Sequence, residues 1–371
     1  RAAMESGVAR RSIADFDAYR EQLERFVFRS GQLMRPVFEA ARAANRRIVY
    51  AEGADERVLR AAQHLVDERI AQPILLGSRE AIEVKVREMG LRMDLNGTVR
   101  VLDPARDHEL FAPLVAEYER LAGRRGIPVD IAGRSLGSRM SVAAAMLLRD
   151  GHADAAICGG VANWWRQIQY ILPIIPRRAD ASRVYGMECL ILQTGTLFLC
   201  DTQMVLDPTP EQIVEMTCLA ARAVAAFGIT PKVALLSHSN FGASDAASPR
   251  KMREALGLLR ECAPDLEVDG EMNAESALSA AIRDRAIPDS RLIGAANLLV
   301  MPTLDAANIA YTLLKSAADG LSVGPILLGM SKPIHVLSTS VTARGIVNLS
   351  AFAAREAVDG VASMILQGGS Q

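Results

Sequence analysis

The sequence predicts an α/β protein of two domains built mainly on parallel sheets. Short apolar runs alternate with amphipathic helical stretches from Arg47 onward, the rhythm of parallel βαβ units whose sheets are covered on both faces. The runs outnumber the strands of one compact doubly wound sheet, and 371 residues exceed what one small core requires. In order, the elements are "RIVYAEG", a helix from Asp55, "PILLG", a helix from Arg79, "VRVLD" and a helix from His108. The strands "DAAICGG", "TLFLCD", "KVALLSHS", "LEVDGE", "NLLVMP" and "IHVLS" then follow.

Ahead of the first strand, Ser12 and Asp15 form a carboxylate variant of the capping box, and Phe16, Tyr19, Leu23 and Phe26 follow at helical spacing. Residues 1–45 therefore read as a helical arm. Its apolar face and many arginines suggest packing on something outside the chain, with a solvated linker as the alternative. A chain opening on Arg1 suggests a fragment of a longer polypeptide.

Formal net charge is −1, with 27 glycines and 5% aromatics, which argues against both a nucleic-acid footprint and disorder. Small molecules and other protein chains are the expected partners. Neither a signal peptide nor a membrane span is expected, since no apolar run approaches the roughly 18 residues required. Cys158, Cys189, Cys200, Cys218 and Cys262 lie in apolar segments without a C-x-x-C pair, so they read as buried reduced thiols in the cytoplasm. His64, His108, His152 and His335 are scattered, and no metal site is expected.

"LSHSNFGASD" follows a strand and precedes a helix starting near Ser248. Such a turn can present hydroxyls and backbone N–H groups to a phosphate, with Gly242 permitting close approach, although ordinary capping uses the same residues. His238 in that turn has no orienting partner in the motif, so a hydrogen-bonded loop histidine is preferred over a general base. Asp269 and Glu271 end a strand on one face; they could act as acid and base or hold Mg²⁺, but backbone hydrogen bonding is the preferred reading. Asp305 and Asn308 flank a helix start, where a cap is expected.

These segments, together with "RIVYAEGADERVLRAAQ", "RKMREAL" and "GPILLGMSKPIHVLSTSVTARGIVNLS", resemble the phosphate acetyltransferase family over roughly Arg46–Ala357. The text is most similar to the C-terminal phosphotransacetylase-like domain of bacterial multidomain NADP-dependent malic enzymes. The resemblance implies two α/β/α lobes with mainly parallel sheets and an inter-lobe crevice: residues 46–178 plus 325–371 as lobe I, and 179–324 as a dimerising lobe II. It implies acetyl-CoA or a related acyl-CoA bound by Ser239, Asn240, Gly242, Ser244, Asp305, Asn308, Lys332, Ser338 and Ser340, with Arg124, Arg125 and Arg166 as further basic partners. It also implies a malic-enzyme catalytic domain in the same polypeptide, using NADP and Mg or Mn to turn malate into pyruvate and CO₂, within a homo-oligomer.

The catalytic charges of that family are missing. Thr339 stands where the phosphate-binding arginine belongs, Gly345 where the aspartate base belongs, and Gln169 where a substrate arginine is aligned; Arg166 lies one turn earlier and could substitute. Trp164 and Trp165 are further departures. Losing the proton acceptor costs roughly two to four orders of magnitude in rate. Losing the charged clamp costs roughly two or three more. Negligible turnover with retained ligand binding is therefore expected, as an acetyl-CoA-sensing regulatory domain would show. An active acetyltransferase and a purely structural dimerisation module are the rivals.

Overall fold

In a computed structural model, residues 31–126, 129–161 and 163–368 are described, with the side chains of 129–133 and 359–368 left aside. The helix start at Ser12 and most of the arm lie outside the described residues. The elements are α1 (31–44), β1 (Arg47–Tyr50), α2 (Glu56–Asp67), β2 (Gln72–Leu76), α3 (Arg79–Glu88), β3 (Arg100–Leu102), α4 (His108–Gly123), α5 (Val129–Ser138), α6 (Met140–Arg149), β4 (Ala155–Gly159) and α7 (Trp164–Ile171). There follow β5 (Tyr185–Leu192), β6 (Gly195–Cys200), α8 (Pro210–Ala226), β7 (Lys232–Leu236), α9 (Ala247–Cys262), β8 (Glu267–Met272), α10 (Ala274–Leu278), α11 (Ala280–Ala286), β9 (Leu298–Val300), α12 (Leu304–Ala317), β10 (Leu321–Leu328), β11 (Ile334–Leu337) and α13 (Ala343–Gly368).

The first sheet has the order β11-β4-β1-β2-β3 and is parallel throughout. The second has the order β10-β5-β6-β9-β7-β8. Its β6, β9, β7 and β8 pair in parallel, while β5 pairs antiparallel with both β10 and β6. The mainly parallel two-lobe architecture is thus present, but with two strands that the pattern did not reveal, β5 and β10, of which β5 alone runs against the rest of its sheet. β10 belongs wholly to the second sheet, and the chain rejoins the first sheet at β11.

Local chemistry explains the helix starts. Asp55 accepts the Arg57 N–H at α2, Ser78 accepts the Ala81 N–H at α3, and Thr209 with Gln212 forms a complete capping box before Pro210 at α8. At α12 the cap is Thr303, whose hydroxyl accepts the Ala306 N–H, so Asp305 sits in the first turn and is not the cap.

Between the sheets lies a continuous apolar core. The segment of α13 up to Ala357 buries Ile346, Val347, Leu349, Ala351, Phe352, Ala353, Ala354 and Ala357, and a helix apolar nearly all round belongs inside a protein. Phe352 stacks on Phe227 of α8 at 5.0 Å between ring centroids, and Phe227 meets Phe198 of β6 at 5.3 Å. Truncating such a buried phenylalanine to alanine costs about 3–5 kcal/mol. The same core takes in Met34, Val37 and Ala41 of α1. The described end of the arm therefore packs on this chain's own interior, neither on an outside surface nor in solvent.

Candidate functional site

The turn after β7, read as either a phosphate cradle or ordinary capping, is occupied by an internal carboxylate. Glu271 of β8 is fully buried. Its Oε1 accepts the Ser239 hydroxyl at 3.0 Å, the Gly242 N–H at 3.0 Å and Arg253 Nη1 at 3.0 Å. Asn240 Oδ1 accepts the Asn273 N–H, and Ser244 Oγ accepts the Ala246 N–H. Gly242 has φ of 92°, which turns its N–H toward the carboxylate. A phosphate here would meet a buried negative charge with its counterion already in place. His238 is exposed, with no side-chain hydrogen bond among the described residues.

Asp269 is also occupied structurally. Its carboxylate accepts from the Ser290 hydroxyl at 2.7 Å, the Arg291 N–H at 3.0 Å and Arg260 at 3.2 Å. The backbone-bonding reading of both strand-end carboxylates holds, and they share none of these partners. Among the described residues, no group of three or more His, Cys, Asp or Glu side chains is placed to hold a metal ion.

The turn after β11 is built differently. Ser338 and Ser340 have their hydroxyls 3.3 Å apart, and Lys315 of α12 reaches Ser340 Oγ at 3.4 Å. With Ser322, Gly324, Val341 and Thr342 they line a cavity of about 70 Å³ spanning the two lobes. Beneath it, Tyr311 donates to Ser322 Oγ at 2.9 Å, and Ser322 donates to Glu188 Oε2 at 2.8 Å. Burial pushes the Glu188 carboxyl up to about 7, against the opposing hydrogen bond from Ser322. At Gly324 any Cβ would stand 2.5 Å from Glu188 Oε2, so the backbone there approaches as only glycine permits. Gly345 borders the same pocket: a Cβ on it would lie 3.5 Å from Thr342 Oγ1 and 3.6 Å from the Ser322 carbonyl.

Arg57 of α2 fixes this turn. Its guanidinium grips Asp55 and donates to the carbonyls of Gly160 and Thr339, each at 3.0 Å. Asp55 also lines a larger cavity, about 470 Å³, with Glu52, Gly53, Arg139, Gln167 and Tyr170. This cavity lies at the carboxyl ends of β1 and β2, beside the point between β1 and β4 where the strand order reverses and α/β sheets open a binding crevice. Burial raises the Glu52 carboxyl to about 8.

The remaining expected residues are dispersed. Asn308 donates to the Thr202 carbonyl at 3.2 Å, and Asp305 is exposed. Lys332 is committed to the C-terminal carbonyls of α6, donating to Leu148 at 2.9 Å and Arg149 at 3.1 Å; it does not line the small cavity. Arg124 and Arg166 are exposed, while Arg125 lines a separate cleft. Gln169 is exposed; Gln167, two residues earlier, is the buried one and accepts from Ser141. Sequence reasoning missed Lys315 and Arg57, because a lone lysine in an exposed helix and an arginine in a first turn look like solvated charges.

Among the cysteines, Cys158, Cys189 and Cys200 are buried as expected. Cys262, the last residue of α9, is exposed and Cys218 of α8 is half-buried, so the expectation of buried thiols does not hold for these two. Among the described residues no helix is long and apolar enough to cross a membrane.

The comparisons with known proteins agree with this architecture. The profile described as phosphate acetyl/butaryl transferase matches residues 32–354. The chain is 48% identical over 357 residues to an NAD-dependent malic enzyme of Rhizobium meliloti, covering 96% of this chain and 46% of that protein. It is 43% identical over 358 residues to an NADP-dependent malic enzyme of Escherichia coli, covering 96% and 47%. The chain thus spans about half the length of the curated relatives it matches. A phosphotransacetylase structure from Streptococcus pyogenes superposes with a TM-score of 0.80 at 28% identity, over 88% of this chain and 98% of that one. On its profile match, its identity to these relatives and its two-lobed fold, the chain belongs to the phosphate acetyl/butaryl transferase family.

Proposed function

We propose that this chain is a regulatory domain that binds acetyl-CoA, or a related acyl-CoA, between its lobes without transferring the acyl group. The observation that carries this reading is a formed inter-lobe pocket whose reactive charges are gone. Thr339 offers only its carbonyl to Arg57, and Gly345 presents no carboxylate beside Thr342. What remains is one cation, Lys315, and the hydroxyls of Ser322, Ser338, Ser340 and Thr342. That set can hydrogen-bond a thioester carbonyl, but it lacks a bidentate clamp for acetyl phosphate and, on the pocket wall, a free base for the CoA thiol. The larger cavity at Glu52 and Tyr170, linked to the turn after β11 through Asp55 and Arg57, offers volume for the rest of a long ligand.

A second element of the reading is self-association. On α12 only Ala307 and Tyr311 are buried, while Ile309 is 62% and Leu313 64% exposed, beside Leu206 at 73%. An apolar stripe of this kind is seldom left bare on a soluble monomer, and a second copy would cover it. The parent polypeptide, by its likeness to the malic enzymes, oxidatively decarboxylates malate to pyruvate and CO₂ with NAD or NADP and Mg or Mn in the portion beyond this chain. Acyl-CoA binding that differs between two arrangements of the assembly would then lower that activity.

Calorimetry with acetyl-CoA, alongside a thiol-release assay with acetyl phosphate and CoA, tests the reading. Binding without turnover is expected, with binding weakened by Lys315→Glu. Turnover above background would establish the active-transferase reading. No heat at millimolar acetyl-CoA would leave only a structural dimerisation module.

A further inference from the structure

The cleft that contains Arg125 differs in composition from the cavities at Lys315 and at Glu52. Its volume is about 460 Å³, within the range of small-ligand sites. One wall comes from lobe I, with Arg125 after α4 and Trp165 on α7; the other comes from Met204 and Val205 after β6 in lobe II. Arg177 and Arg183 lie on the segment that crosses between the lobes. The lining contains three arginines and no acidic residue.

The neighbouring carboxylates are engaged elsewhere. Asp180 pairs with Arg178 and Arg222, and Glu215 accepts the backbone N–H groups of Ser182 and Arg183. Among the described residues, the guanidinium groups of Arg125, Arg177 and Arg183 make no hydrogen bond or ion pair. All three arginines are exposed, and an anion among them would relieve the repulsion of like charges lining one cleft.

Trp165 supplies the second observation. It remains 47% exposed and is held in place from behind: Trp164 stacks on it at 6.4 Å between ring centroids, and Trp164 Nε1 donates to the Val336 carbonyl at 2.8 Å. A fixed, half-exposed indole beside unpaired guanidinium groups offers one face for an aromatic ring and several donors for phosphate oxygens.

We infer that this inter-lobe cleft binds a purine nucleotide carrying at least two phosphates, its base on Trp165 and its phosphates on Arg177, Arg183 and Arg125. The source is a free nucleoside diphosphate or triphosphate, since the acyl-CoA proposed above is seated at the Lys315 pocket, which shares no lining residue with this cleft. The inference stands without the thioester pocket at Lys315, whose variants leave this cleft unchanged.

The test is a tryptophan-fluorescence titration of the full chain with ADP. Saturable quenching is expected, absent in Trp165→Phe, competed by inorganic pyrophosphate and not reproduced by adenosine alone. Arg177→Glu with Arg183→Glu should weaken ADP by roughly tenfold or more for each guanidinium lost. Should that pair fail to fold, Arg125→Glu on the exposed end of the cleft gives the same comparison. ADP binding untouched by CoA is expected; displacement of ADP by CoA would make the cleft part of the acyl-CoA site and overturn the inference of a separate nucleotide site. If ADP does not quench at millimolar concentration, or if quenching survives the arginine reversals undiminished, the inference is likewise overturned.

Discussion

The turns after β7 and after β11 are built from similar residues, "SHSNFGAS" and "STSVTARG", yet only the second leaves space for a ligand. After β7, Glu271 enters from the neighbouring strand and takes the hydroxyl and N–H groups that an external anion would use. After β11, no acidic side chain enters the cavity wall, and Ser338, Ser340 and Thr342 face the cavity shared with Lys315. The lesson is that a serine-rich strand-to-helix turn specifies donors but not their acceptor. The acceptor comes from another strand, far away in sequence.

The largest effect that would test this contrast is at Glu271. Replacing it with alanine strands Arg253 and the loop donors, and should cost about 3 kcal/mol, the loss expected on removing one partner of a buried pair; urea unfolding measures it. Added sulfate should restore part of the loss, because the emptied turn then becomes the anion cradle its composition suggests. An unchanged midpoint, or one indifferent to sulfate, would break the contrast.

A smaller effect is expected beneath the open turn. Glu188 titrates near 7 in the folded chain against an ordinary value of 4.5. A raised folded value means that stability is fully present below about 4.5 and is lost as pH rises toward about 7. Glu188→Gln should therefore remove this decline and raise the alkaline Tm by a few degrees, with little change in acid. A parallel drop in Tm at both ends of the range would place Glu188 among residues needed simply for packing.

The smallest effect concerns the thiols. Cys262 should react first with a thiol reagent, and Cys158, Cys189 and Cys200 only on unfolding, as mass-resolved labelling would show. Early loss of a buried thiol would mean that the sheets open more readily than their burial implies.

Most parallel strands were readable because each is a short apolar run ahead of a capped helix, as with Arg47–Tyr50 before Asp55. The antiparallel strand Tyr185–Leu192 was not, since all eight residues are buried and no alternation marks it. Of the cavity between the lobes, Ser338 and Ser340 could be picked out in the sequence, because they lie in one continuous motif after a strand. Lys315 could not, since only the fold of α12 brings it to the turn, nor could the role of Lys332, a basic residue in a family-like motif that serves as a helix cap.

The stack of Phe198, Phe227 and Phe352 belongs to one apolar interior shared by both sheets. It follows that the chain has no seam along which to be cut: a piece carrying the strands of either sheet alone would present its share of that interior to water. Expression of either lobe alone should give aggregates where the intact chain stays in solution. For the same reason, heat should melt the two lobes in a single transition, and any message from the crevice to the rest of a larger protein must travel as a rigid displacement of the whole unit.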